Sequence, residues 1–349
     1  MFSAFASSFA NADVSCGDRR KVDGGCELVM DEDFIQIRVI CCQISSDWSL
    51  ILAILVQYML HTLSSFVLHK THNLPTMSEQ PPAKRARVEP EFSIAYWSIR
   101  GLGAPLRMMA MYAKRPVTIV NYDVKMDVDS GKLDASAWYG PKKELKKKNA
   151  FINLPHLTDH AREDMVVSQT NACLTYLARR LGLGGRIEAD VVLIDTLLCE
   201  VMDLRNKMIR FAYNGALEDL EKDGRTLLEE VMAKNGIAQK FELFLASREH
   251  SAPCLLSYVT AADFHLWEMV DQYRTLAAQL GVDFSPSLLA WWQKFADLEE
   301  NRAYLDGHLH NGLPFNNKSA RFGSAPGGKT FERGQAYQWA SKESEQFNC

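Results

Sequence analysis

Hydrophobic positions take on a regular rhythm only from about residue 91 of this 349-residue chain. "FSIAYW", from Phe92, is a short apolar strand, and Ala104 to Lys114 has helical composition rich in Met and Leu. "VTIVNYDV" (117–124) is a second strand by its β-branched and aromatic content. After a polar, lysine-rich stretch come "LPHLTD" and "DMVVS", two short runs split by "HARE", which predict an antiparallel hairpin. Ser168 precedes "QTNACLTYLARRL", a helix closed by "GLGG" with Arg179 and Arg180 in its last turn. From residue 186 to 310 the pattern is helical throughout. Ile187, Val191, Ile194, Leu198, Val201, Met208 and Ala212 fall at spacings of three and four, one apolar face of a long helix broken only by Arg205. "SYVTAADFHLWEMVDQY" opens on Thr260 and Asp263, a capping-box start, and "PSLLAWWQKFADLEE" gives a further helix. From about Asn316 the chain turns polar and Gly/Lys-rich, a loose tail.

Residues 1–90 have no such logic. Within them "WSLILAILVQYMLHTLSSFVL" (48–68) is almost uncharged and about the length of a membrane span, weakened by Gln57 and His61. Lys70, Lys84, Arg85 and Arg87 downstream of it, against Arg38 upstream, would leave the following domain in the cytosol. The other reading starts the protein at Met77 and makes everything before it an extension. "PPAKRARVEP" (81–90) also has the look of a short nuclear import signal. Composition narrows the function classes. A formal charge of −4 gives no basic field for nucleic acid. Eight cysteines without a C-x-x-C pair suggest neither a zinc site nor a disulfide framework, so a reducing compartment is expected.

Several separated stretches carry candidate chemistry. "YWSIRGLGAPLR" (96–107) places Tyr96 at the end of the first strand, followed by a glycine-containing turn and a helix. Alone, Tyr96 reads as a strand aromatic packed against the sheet; the other reading is a hydroxyl positioned for chemistry. "NLPHL" sets a proline at the start of a strand, a candidate cis peptide or an ordinary edge proline. "SQTNA" puts Gln169 and Thr170 at a helix start, where free N–H groups favour an anion, although Ser168 could serve as a plain cap. "WYGPK" spaces Trp138 and Lys142 four apart, with Lys142 inside a lysine-rich run. Met109, Met208 and the pair Trp291–Trp292 read as core.

Taken in order over roughly residues 92–320, these stretches resemble a glutathione S-transferase, and "YWSIRGLGAPLR" looks most similar to the mu class. The resemblance implies an α+β thioredoxin-like N-terminal domain (β-α-β-β-β-α) followed by an all-α helical domain. It divides the chain into a leader (1–90), a glutathione-binding domain (91–182), an electrophile-binding domain (186–315) and a polar tail (316–349). It implies catalytic roles for Tyr96 and for Tyr213, the latter as general acid or donor in the electrophile pocket. Glutathione, the co-substrate, would meet Trp97, Leu102, Asn153 and the backbone of Leu154 before Pro155. Its γ-glutamyl carboxylate would meet Gln169 and Thr170, where the family pattern has Gln-Ser. Its glycine carboxylate would meet Trp138 and Lys142. Asp203 would reach the γ-glutamyl amine across the interface of a cytoplasmic homodimer. Ala135 stands where the mu pattern has an arginine, three residues before Trp138. No metal, nucleic acid or further cofactor is implied. The expected activity is conjugation of glutathione to small hydrophobic electrophiles. A glutathione-dependent isomerase or peroxidase, and a non-catalytic module on the same fold, are the alternatives.

Overall fold

Strand β1 (Phe92–Trp97) runs up the middle of a five-stranded sheet, and its nearly unbroken apolar sequence follows from that position. It pairs in parallel with β2 (Val117–Tyr122), with Phe92 opposite Val117 and Tyr96 opposite Asn121. On its other edge it pairs antiparallel with the strand His156–Asp159. The computed structural model describes residues 89–127, 130–332 and 344–347. Residues 1–88, which hold all but the last two positions of the leader, the 48–68 segment and the basic run, lie outside the described residues.

Between β1 and β2, helix α1 (Ala104–Tyr112) starts where Pro105 fits the first turn, and it is buried from Ala104 to Met111. Next come a two-stranded ribbon, β3 (Lys125–Met126) and β4 (Leu133–Asp134), and helix α2 (Ser136–Lys148). The lysine-rich stretch is therefore helical and not merely polar linker. Lys, Glu and Leu favour a helix, and Trp138 is its one buried residue, so an apolar period never forms. Strands β5 (His156–Asp159) and β6 (Met165–Ser168) form the expected hairpin, His156 opposite Ser168. Helix α3 (Thr170–Leu181) closes the unit, its C-cap Gly182 at φ 74°. The main sheet keeps the thioredoxin-like order, with the ribbon and α2 inserted before the hairpin.

Helix α4 (Glu188–Tyr213) buries Ile194, Leu198, Val201, Met208 and Ala212 of the expected stripe. Ile187 and Val191 are the exceptions, the first the N-cap and 63% exposed, the second half-buried, because the stripe only meets its neighbours after the first turn. Helices α5 (Leu220–Met232) and α6 (Ile237–Ala246) follow. Helix α7 (Ala261–Leu280) is buried over most of its length and packs against both α1 and α4. Its capping box is made: Asp263 accepts from the Thr260 N–H (2.8 Å), the Thr260 hydroxyl (2.9 Å) and the Leu255 N–H (2.6 Å). Helix α8 (Pro286–Ala296) is capped by Ser285, and two short helices, α9 (Arg302–Leu305) and α10 (His308–Asn311), complete the helical part. Met109, Met208 and Trp291 are core residues, as expected.

The segment from Asn316 to Glu332 is not a loose tail. Phe322, Ser324 and Ala325 are buried, and Arg321 donates to the carbonyls of Phe211 (2.8 Å) and Ala216 (2.8 Å). Arg321 thereby bonds main-chain groups at and just after the end of α4, which composition cannot reveal. Farther on, β7 (Ser344–Phe347) adds antiparallel to the free edge of β2. No helix among the described residues is long and apolar enough to cross a membrane.

Candidate active site

Tyr96 is buried at the end of β1, 5% exposed, with its ring laid over the turn that follows. A Cβ on Gly103 would come within 2.8 Å of Tyr96 Cβ, and one on Gly101, at φ +37°, within 3.1 Å of Tyr96 Oη. Both glycines are thus required by the close approach of this ring. Burial pushes the Tyr96 phenol above its ordinary pKa, against the opposing pull of Arg205, the Leu102 N–H and Arg107. The hydroxyl accordingly keeps its proton at neutral pH and is available as a donor.

The turn is held by Arg107, which is completely buried in α1. It donates to the carbonyls of Ile99 (2.7 Å) and Trp97 (3.1 Å) and to Asn121 Oδ1 (2.9 Å). Two further bonds tie the turn to the C-terminal segment: Arg100 N–H to Pro314 O (2.7 Å) and Gly101 N–H to Phe315 O (3.1 Å). Tyr96, Ile99 and Leu102 make a small apolar cluster, separate from the main core, against which Trp97, Leu154 and Met202 pack. Leu154 belongs to a cis Leu154–Pro155 peptide, the isomer considered from "NLPHL". The structure therefore brings Tyr96, Trp97, Leu102, Leu154 and Pro155 to one place.

Asn153 joins them through its main chain. Ser168 Oγ accepts from Asn153 N–H (2.9 Å) and donates to Asn153 O (3.1 Å), so it bridges β6 to the cis-proline loop and does not cap α3. Gln169 takes the N-cap place at φ 75° with no side-chain bond to the helix. A non-glycine residue with positive φ at a helix start is the kind of strain found at binding sites. Gln169 is exposed and Thr170 buried, and the N-terminal amides of α3 have no side-chain cap.

Trp138 is 1% exposed and stacks on His156 (centroids 5.8 Å apart), the residue after Pro155. Lys142 Nζ lies 5.6 Å from the Trp138 ring centroid and is half-buried, which sets it apart from the exposed Lys143, Lys146, Lys147 and Lys148. His156 has no hydrogen-bond partner for either ring nitrogen among the described residues, and burial lowers its pKa to about 4. Tyr213, at the end of α4, accepts a bond from Asn317 N–H (2.7 Å). The residue is 36% exposed, but desolvation around its hydroxyl pushes the phenol up to about 12, with Tyr96 near enough to act on it. Asp203 stands apart: it is exposed on α4 and bonded to none of these residues. Among the described residues no group of three or more His, Cys, Asp or Glu is placed to hold a metal ion.

Residues 202–308 match the model of the glutathione S-transferase C-terminal domain. The chain is also 31% identical over 240 residues to human (Homo sapiens) glutathione S-transferase Mu 3, across 68% of this chain and 98% of that protein. The chain belongs to the glutathione S-transferase family. It is similar too to glutathione S-transferase Mu 1 of Mus musculus, 31% identical over 66% of this chain and 97% of that one. Among solved structures, a pi-class glutathione S-transferase of Onchocerca volvulus superposes with a TM-score of 0.51 at 25% identity, covering 66% of this chain and 99% of that one.

Reading the transferase from sequence missed three contributors to this site. Arg107 was the one charge in the apolar run "PLRMM", a signal available but not taken up. Arg205 appeared only as a break in an apolar face. Asn317 lies in the polar segment expected to be a tail, and no local pattern there points towards Tyr213.

Proposed function

We propose that this transferase activates glutathione as a thiolate and adds it to small hydrophobic electrophiles. The observation that carries the reading is a buried, protonated Tyr96 clustered with the side chain of Leu154, the residue before the cis-linked Pro155. An extended cysteinyl backbone would pair with Leu154 in strand fashion, which delivers its sulfur towards Tyr96. The γ-glutamyl carboxylate would meet Gln169, Thr170 and the uncapped amides of α3. The glycine carboxylate would meet Lys142 and the edge of Trp138, with no arginine at Ala135 to help. Trp97 and Leu102 would wall the site.

On binding, the thiol proton leaves to water and the thiolate accepts the Tyr96 proton as a hydrogen bond, without taking it. A free thiol titrates near ~8.5, so a shift of about two units requires about 2.7 kcal/mol of preferential stabilisation. Charge-assisted bonds of this type supply that range. In substitution the leaving group departs with the bonding pair; in conjugate addition the charge moves to the acceptor oxygen. Tyr213 suits the second case, because its oxygen is already engaged by Asn317 and its proton is free to turn towards that acceptor.

The reading includes a homodimer in which Asp203 of one protomer serves the γ-glutamyl amine of its partner's site. Its support is Asp203's exposure, together with Phe151, which is 81% exposed two residues before Asn153. A cytosolic setting suits the free Cys173, Cys199 and Cys254. Retention on immobilised glutathione, followed by conjugation of a chromogenic aryl halide, tests the function. Failure of both would remove it and favour a non-catalytic module.

A further inference from the structure

Arg321 comes from the polar C-terminal segment, and the mechanism above has not used it. It is 8% exposed and grips the end of α4 at several places. Its main-chain N–H donates to Ala212 O (2.9 Å), its Nε to Phe211 O (2.8 Å) and its Nη1 to Ala216 O (2.8 Å). Carbonyls in the last turn of a helix have no partner within it, and this one residue takes two of them, just before Tyr213. Nη1 also meets Asp223 Oδ2, on the first turn of α5, at 2.8 Å. The guanidinium carbon lies 4.8 Å from the Phe211 ring centroid. Gly215, at φ +91°, leaves room for the group: a Cβ there would come within 2.6 Å of Nη1.

The loop that carries Arg321 is folded back on itself. Asn316 donates its N–H to Gly323 O (2.8 Å) and its side-chain amide to Phe322 O (3.1 Å), and Ala320 N–H reaches Asn317 O (2.9 Å). A displacement at Arg321 is therefore passed to Asn317, whose N–H donates to Tyr213 Oη (2.7 Å). We propose that Arg321 is a positioning residue for Tyr213: it pins this loop to the end of α4, so that Asn317 N–H stays on the phenol oxygen and the phenol proton stays free for the electrophile.

The other anchors of the loop lie on a different wall. Pro314 and Phe315 carbonyls accept from the turn after Tyr96, and Lys318 Nζ donates to Val124 O (2.8 Å), just beyond β2. Those bonds fix the loop to the sheet-bearing unit, whereas Arg321 fixes it to the helix that carries Tyr213. The register of Asn317 on the phenol is set where these two sets of anchors meet.

The inference rests on the glutathione reading for its purpose, and its first test is free of glutathione. Amide hydrogen exchange of Asn317, read by NMR, reports the bond to Tyr213. Tyr213→Phe removes the acceptor and sets the scale, and Arg321→Met should speed the exchange comparably, by about tenfold. The second test compares two electrophiles. Arg321→Met should lower kcat/KM for an α,β-unsaturated ketone by about 5- to 10-fold, and that for a chromogenic aryl halide by less than about twofold, because only the ketone oxygen calls for a proton donor. In a Tyr213→Phe background, Arg321→Met should cost the ketone reaction nothing further. Asp223→Asn loosens only the ion pair and should give the same pattern at about 2- to 3-fold, which keeps the test open if the arginine variant does not fold. Asn317 exchange unchanged in these variants, equal losses with both electrophiles, or losses that add to those of Tyr213→Phe would each overturn the proposal, because a merely structural arginine gives those results. Faster exchange in a protein with no conjugating activity would support the link and remove the glutathione reading instead.

Discussion

Removing one oxygen atom from Tyr96 gives the sharpest prediction. Tyr96→Phe keeps the ring contacts, because its closest approaches to the Gly101–Gly103 turn include Cβ, Cδ1 and Cε1, all retained in phenylalanine. The fold should be unchanged in thermal melts. What is lost is a neutral donor that burial keeps protonated well into the alkaline range. A hydrogen bond to a charged acceptor contributes about 1.5–3 kcal/mol. At about 1.36 kcal/mol per factor of ten, kcat/KM at neutral pH should fall about 10- to 150-fold. The same energy raises the pKa of the bound thiol by about one to two units. The loss should therefore shrink as pH rises, because at high pH the sulfur ionises without help. KM for glutathione should move little, since its carboxylates are assigned to Gln169, Thr170 and Lys142. The assay is aryl-halide conjugation at saturating glutathione across a pH series, beside a direct ultraviolet titration of the bound thiolate. An unchanged thiol pKa in the variant, or a uniform loss at every pH, would refute thiolate stabilisation by Tyr96.

Three further outcomes are expected. Asp263→Ala removes three bonds at the start of α7 and strands the buried Leu255 and Thr260 donors, so it should cost about 2–4 kcal/mol and lower Tm by about 5–15 °C in calorimetry. The His156 pKa is depressed in the fold to about 4 from 6.5. Between those values the unfolded chain binds a proton that the folded chain refuses, so stability should be lost as pH falls from about 6.5 to 4, on the order of 3 kcal/mol in urea titrations. His156→Phe should flatten that acid slope, and an unchanged slope would assign it elsewhere. Asp203→Asn should weaken glutathione binding about 5- to 30-fold by calorimetric titration. For the wild type, dilution that splits the dimer should weaken it similarly; affinity independent of protein concentration would remove the role in trans.

The parts of this fold that were legible in sequence are those whose burial follows a period. The β1–α1–β2 unit, the hairpin, the α4 stripe and the Thr260–Asp263 cap all announce themselves through alternation, helical spacing or a cap residue at fixed distance. The α2 helix did not, because Trp138 is its only buried residue and one anchor makes no period. The 316–332 segment did not either, since its hold comes from Arg321 bonding the carbonyls of Phe211 and Ala216, which are distant in sequence. At the site, residue types were readable where chemistry needs a rare arrangement, as in Leu-Pro before a strand or Gln-Thr at a helix start. Ser168 shows the limit: cap and bridge require the same residue at the same place, and only the fold distinguishes them.

Two arginines seven residues apart show how the turn after β1 serves both folding and chemistry. Arg100 turns towards α7, where Glu268 and Asp271 meet it at 2.6 Å each, so its charge is cancelled inside the protein. Arg107, equally buried, meets only two carbonyls and an amide oxygen, and its Nε has no acceptor among the described residues. Burial lowers its pKa, the mark of a cation held in an environment that does not fully compensate it. For stability alone, an apolar side chain in that place would serve as well or better. The choice becomes intelligible if the missing negative charge arrives with the substrate. A thiolate beside Tyr96 would lie in the field of Arg107, whose hydrogen bonds all go to neutral oxygens and which Glu268 reaches only as a distant charge. The positive field is then built in advance, and it acts on the charged sulfur more than on the neutral thiol. That difference between the two protonation states is what lowers a thiol pKa.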